Sequence, residues 1–155
     1  MTIYKKNKIS QHVFREDKLH QPDVETVYTM NEQALRKIYL MKTLEGRDTK
    51  LKPHNADWMI VQDCHTLFRN DLPLKLPYKM INEAFGMSQI HMVNEFDKNS
   101  LQDYNKLTYL EFLEFLARIA ELYFEESEME DLDLHVKIEY LLDEILPLVN
   151  AKRVK

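Results

Sequence analysis

The stretch NKLTYLEFLEFLARIAELYF, Asn105 to Phe124, constrains the fold of this chain more than any other. Thr108 and Glu111 stand at capping-box spacing, where the hydroxyl accepts an early backbone N–H and the carboxylate reaches back to the first one. Beyond them Phe112, Phe115, Leu116, Ile119, Ala120 and Tyr123 recur at steps of three and four, which lays them on one broad helical face. Burying a large apolar side chain contributes about 1.5–3 kcal/mol, so this face can fix its helix in a core without help from a bound ion.

The same period recurs along the chain. TMNEQALRKIYLMKTLEG predicts a helix over about 30–45: Thr29 and Glu32 have capping-box spacing, Ala34, Ile38, Met41 and Leu44 follow, and Gly46 stands where a left-handed terminating residue is wanted. After the polar RDTKLKPHNA, a second helix is predicted from Asn55 to Phe68, with Trp58, Val61, Cys64, His65 and Phe68 on one face. NDLPLKLPYKMINEAFG predicts a third that has Pro77 in its first turn and ends at Gly86, and SQIHMVNEF a short fourth capped by Ser88. A last helix, about 134–148, carries Leu134, Ile138, Leu141, Leu142, Ile145 and Leu148, with Pro147 able to end it a turn early. No alternating run competes as a strand, so the expected class is all-α. Residues 1–28 are expected to form an extended basic arm, 29–149 one helical domain and 150–155 a basic tail.

Composition removes several function classes. Two glycines leave no GxGxxG or GxxxxGK[ST] phosphate cradle. A net charge of −5 argues against general nucleic-acid binding. No apolar run reaches the roughly 18 residues of a membrane span, and MTIYKKNKIS lacks the apolar block of a signal peptide, so an intracellular protein is expected. The single cysteine, Cys64, reads as a small core residue. His54, Cys64 and His65 come nearest to a transition-metal cluster but lack four-ligand spacing. Acidic side chains from Glu125 to Asp133 read as a solvated connection that favours the next helix N-terminus, or as a docking strip for a basic partner. No acid–base pair is recognisable, and no catalysis and no cofactor are expected.

In Leu107-Thr108-Tyr109-Leu110-Glu111-Phe112 the chain resembles the exit half of an EF-hand: an apolar residue at loop position 8, glutamate at 12, an aromatic after it. Counting back puts Ser100, Gln102, Tyr104 and Asn105 at positions 1, 3, 5 and 6, a poor calcium cage without the glycine at 6, so Glu111 reads as a helix cap. A start at Asp97 recruits Asp97, Asn99 and Asp103 but lengthens the loop to fifteen residues. With ADWMIVQDCHTLF, LPLKLPYKMINEAFGMS and KIEYLLDEILPLV, the resemblance covers about residues 30–148 and is similar to the calcium-independent EF-hand-like proteins of cilia and flagella, some of them bound inside doublet microtubules.

That resemblance implies an EF-hand-like helix-loop-helix pair with an additional C-terminal helix. It further implies a non-enzymatic structural or adaptor component of a ciliary or flagellar axoneme, in the cytoplasmic cytoskeleton, within a large assembly and without nucleic-acid or membrane partners. Tubulin and other axonemal proteins are the implied partners. Tubulin is acidic, so Lys5, Lys6 and Lys8 are the expected contacts, with Tyr4 adding contact area. The competing expectation is a calcium-responsive regulator that seizes an amphipathic target helix, to which the eight methionines lend a groove.

Overall fold

A computed structural model of the chain describes residues 12–89 and 105–154. Among them the protein is helical, with no strand beyond one isolated antiparallel bridge. The described residues include six α-helices, α1 (Pro22–Met30), α2 (Glu32–Arg47), α3 (Val61–Thr66), α4 (Tyr78–Ser88), α5 (Tyr109–Tyr123) and α6 (Leu134–Ile145). A π turn, Arg15–Leu19, precedes α1; another, Leu67–Asp71, prolongs α3; a 3₁₀ turn, Leu146–Val149, prolongs α6.

Helix α5 is the central element. Thr108 caps it as the spacing predicts: its Oγ1 accepts from the Glu111 N–H at 3.3 Å, and Glu111 Oε1 accepts from the Thr108 N–H at 2.9 Å. Phe112, Phe115, Leu116, Ile119 and Ala120 are fully buried, whereas Tyr123 stays exposed at the helix end. The α5 core face meets α4 on one side and α6 on the other. Leu134, Ile138, Leu141, Leu142 and Ile145 of α6 close the core, and Pro147 lies in the first turn of the 3₁₀ segment that replaces the expected last turn. One continuous apolar cluster runs from Val24 to Leu146.

Several boundaries differ from the expectation. The stretch from 12 to 28, expected within an extended arm, is largely helical: Pro22 supplies a pre-set first turn, and Val24 and Tyr28 lie one turn apart, both buried. Thr29 forms no cap because α1 runs through it, and Asn31 joins α1 to α2. The buried side of α2 is Leu35, Ile38, Tyr39, Lys42, Thr43 and Gly46, which leaves Leu44 on the outside. The second helix starts at Val61, so Trp58 belongs to the preceding loop, and the π turn carries it on to Asp71. Gly46 and Gly86 lie inside helices and neither has a positive φ, so neither acts as the expected terminator. The basic tail is docked: Val154 N–H donates to Asn31 Oδ1 at 2.8 Å, and Arg153 pairs with Asp143 and Glu139. The expected short helix after Ser88 falls largely outside the described residues.

Candidate functional site

The segments that lead into α3 and α5 meet at one point. Met59 and Leu107 exchange both backbone hydrogen bonds, 3.1 Å from the Met59 N–H and 2.8 Å from the Leu107 N–H, and both side chains are fully buried. Tyr39 of α2 closes over this bridge, its hydroxyl donating to the Leu107 carbonyl at 2.6 Å. Burial pushes the Tyr39 phenol up to about 12, so it stays a donor across the ordinary pH range. Asn105 secures the crossing from the α5 side: its Oδ1 accepts the Val61 N–H at 2.9 Å, satisfying a free donor at the start of α3.

Beside the bridge lies a buried charge pair. Lys52 Nζ donates to Asp63 Oδ2 at 2.7 Å and to the Trp58 carbonyl at 3.0 Å. The two side chains are 1% and 7% exposed, so the pair is desolvated and its remaining hydrogen-bond capacity has to be met locally. Asp63 Oδ2 also accepts the Ile60 N–H at 3.0 Å, which ties the pair to the first turn of α3. Gly46 makes room for it: a Cβ there would lie 2.3 Å from Asp63 Oδ1, 2.6 Å from Lys52 Cε and 2.7 Å from Lys52 Nζ. Arg47 secures the same loop by donating to the Ala56 carbonyl at 2.6 Å.

Two further lysines are buried to the same degree. Lys42 of α2 holds Glu45 and Asp71, each at 2.5 Å, joining α2 to the end of the π turn. Burial alone would depress its ammonium, but the two carboxylates outweigh that and raise it. Lys137 of α6 donates to Glu121 of α5 at 3.0 Å and to the Glu130 carbonyl at 2.6 Å. Lys18 reaches the same Glu121 oxygen at 2.9 Å. Burial pushes the Glu121 carboxyl up, yet these two ammonium partners hold it below its usual range. Arg15 and Arg118 flank Glu114 at 2.8 and 3.0 Å, which fastens the π turn before α1 to α5.

The other residues singled out in the sequence scatter. Cys64 faces the core, and burial raises its thiol well above the ordinary value. His65 pairs with Asn82 at 2.6 Å and meets Tyr78 edge-on, while His54 lies in the exposed loop, so the three side chains form no cluster. Among the described residues no three His, Cys, Asp or Glu side chains converge as a metal site requires. The acidic connection borders an open cavity of about 550 Å³ with Asp17, Asp23 and His135 on its wall. Tyr4, Lys5, Lys6 and Lys8, and the loop residues Asp97, Asn99, Ser100, Gln102, Asp103 and Tyr104, lie outside the described residues. No described helix is long and apolar enough to cross a membrane.

The Lys52–Asp63 pair is what the sequence reading missed. A signal for it exists: Met59 precedes Asp63 by the same four residues that separate Leu107 from Glu111. No protein-family model, no curated protein and no solved structure matches the chain.

Proposed function

We propose that this protein is an EF-hand-like helix-loop-helix pair that works without calcium as a structural or adaptor block, in a ciliary or flagellar axoneme. Helix α2 with α3 forms one helix-loop-helix unit, α5 is the exit helix of the other, and the two meet at the Met59–Leu107 bridge, which falls at loop position 8 of the second unit. Helix α6 is the added terminal helix. The axonemal setting, with tubulin and other axonemal proteins as partners, comes from the family resemblance.

One observation carries the structural role over the sensor role: the apolar side of α5 that a regulatory pair would offer to a target helix is covered by this chain's own α6. The described methionines do not gather on one face: Met59 is buried at the bridge, Met80 packs against the core from α4, and Met30 lies exposed on α1. A block that keeps its own helix in the groove offers partners a fixed outer surface.

Lys5, Lys6 and Lys8, with Tyr4 adding contact area, are proposed to clamp this block to acidic tubulin. Arg15 and Lys18 are engaged within the body by Glu114 and Glu121, so the clamp is tested by removing residues 1–11 and no more. A tagged full-length copy is expected in the axoneme and retained on microtubules after detergent and salt extraction. The shortened copy is expected to fold and to be retained less. A full-length copy that washes out with the soluble fraction contradicts the proposal.

A further inference from the structure

We infer that the ion position of the first loop is taken by a residue of the chain, the ammonium of Lys52. The inference rests on the helix-loop-helix reading, because the register is counted from the bridge. With Met59 at position 8, Lys52 stands at position 1, Trp58 at 7 and Asp63 at 12. In a calcium loop, position 1 supplies a side-chain oxygen, position 7 a backbone carbonyl and position 12 a carboxylate, all aimed at the ion. Here the Trp58 carbonyl and the Asp63 carboxylate both aim at Lys52 Nζ, at 3.0 and 2.7 Å. Two of the oxygens that would bind a divalent cation are thus engaged by a cation that is covalently attached.

The donor set does not fit calcium. The remaining ligand positions, 3, 5 and 9, fall on His54, Ala56 and Ile60, and Asp57 stands where glycine is wanted at 6. Calcium takes six to eight oxygens, whereas this loop directs one carboxylate and one carbonyl at a point filled by a positive charge. An ion entering there would have to expel an ammonium that is 1% exposed.

Gly46 is the second, independent sign that the arrangement is built. It lies inside α2 without a positive φ, where alanine favours a helix more, and the space a Cβ would fill holds Asp63 Oδ1 and the end of Lys52. The entering helix therefore leaves out a side chain at the point where the ammonium meets its carboxylate. An ammonium cannot dissociate from its own chain, so a loop held this way stays in one conformation whatever the calcium concentration. A calcium loop changes shape as its ion comes and goes.

The test is amide hydrogen exchange on the full chain, wild type and Lys52→Met, each in EDTA and in excess calcium chloride. The Lys52 side-chain ammonium resonance of the wild type is followed in parallel, so the result does not depend on the variant folding. The expected outcome is slow exchange at Met59 and Leu107 in the wild type in both buffers, exchange faster by about 100-fold at both amides in the variant, and a Lys52 ammonium signal unmoved by calcium. Fast exchange at Met59 and Leu107 in the wild type would overturn the loop pairing, and the inference with it. Slow exchange that survives Lys52→Met, or an ammonium signal displaced by calcium, would leave the pairing standing and overturn the resident cation alone.

Discussion

Lys52 Nζ lies 2.7 Å from Asp63 Oδ2 across eleven residues of chain, in a place where neither group meets water to any extent. Removing one partner of such a pair strands the other charge in a poorly solvating interior. Lys52→Met keeps the apolar stem and is expected to cost about 3–5 kcal/mol in urea unfolding. Adding Asp63→Asn removes the stranded charge while keeping an acceptor for the Ile60 N–H, so the double variant is expected to be more stable than Lys52→Met alone. Costs that simply add would contradict the coupling.

The two glycines separate two reasons for having one. At Gly86 a Cβ meets nothing within 4 Å, and Gly86→Ala is expected to stabilise the protein by up to about 1 kcal/mol through helix propensity. At Gly46 the Cβ would collide with the Lys52–Asp63 pair, and Gly46→Ala is expected to destabilise by about 1–3 kcal/mol. Thermal unfolding of the two variants should shift in opposite directions; shifts of the same sign refute the close-approach account.

Glu121 sets an acid limb. Its carboxyl is held low by Lys18 and Lys137 against the opposing effect of burial, so its folded value lies below its unfolded one. The stability it contributes is therefore present above the ordinary carboxylate value and is lost as pH falls through the depressed one. Glu121→Gln is expected to be less stable near neutrality and to show a flatter decline on acidification. Parallel curves of urea midpoint against pH would count against this role.

Asn31 holds the tail. Its Oδ1 accepts the Val154 N–H at 2.8 Å, its Nδ2 donates to the Val27 carbonyl at 2.8 Å, and it is 3% exposed. Asn31→Ala is expected to cost about 1–3 kcal/mol and to abolish exchange protection at the Val154 amide. A Val154 amide as slow in the variant as in the wild type would show that the tail is held elsewhere.

Helices with a strong local signal could be read directly from the sequence: α5 from its apolar face and capping box, α6 from its period, the bridge residue Leu107 from its spacing to Glu111. Helix α1 was obscured by the surrounding charges, although Pro22, Val24 and Tyr28 already carried a start signal and one buried turn. Charged residues marked the arm as solvated, but Arg15 and Lys18 are partners of Glu114 and Glu121, about a hundred positions away, and such pairings leave no local pattern. Gly46 misled because glycine at a helix end usually signals a left-handed turn, whereas this one admits the Lys52–Asp63 pair. On the proposed register, Lys52 is reached only by counting back from Asp63 as from Glu111, and a lysine at position 1 makes such a loop look like no ion site at all.

The claim that the body stands on its apolar core and its own ammonium, with no divalent ion, is tested most directly by thermal unfolding of the purified full chain in EDTA and in excess calcium. A ligand that binds the folded state raises its midpoint, so an ion-dependent body would melt later with calcium. One cooperative transition at the same midpoint in both buffers is the predicted result. Unfolding by the chelator, or a midpoint that climbs with calcium concentration, would contradict it.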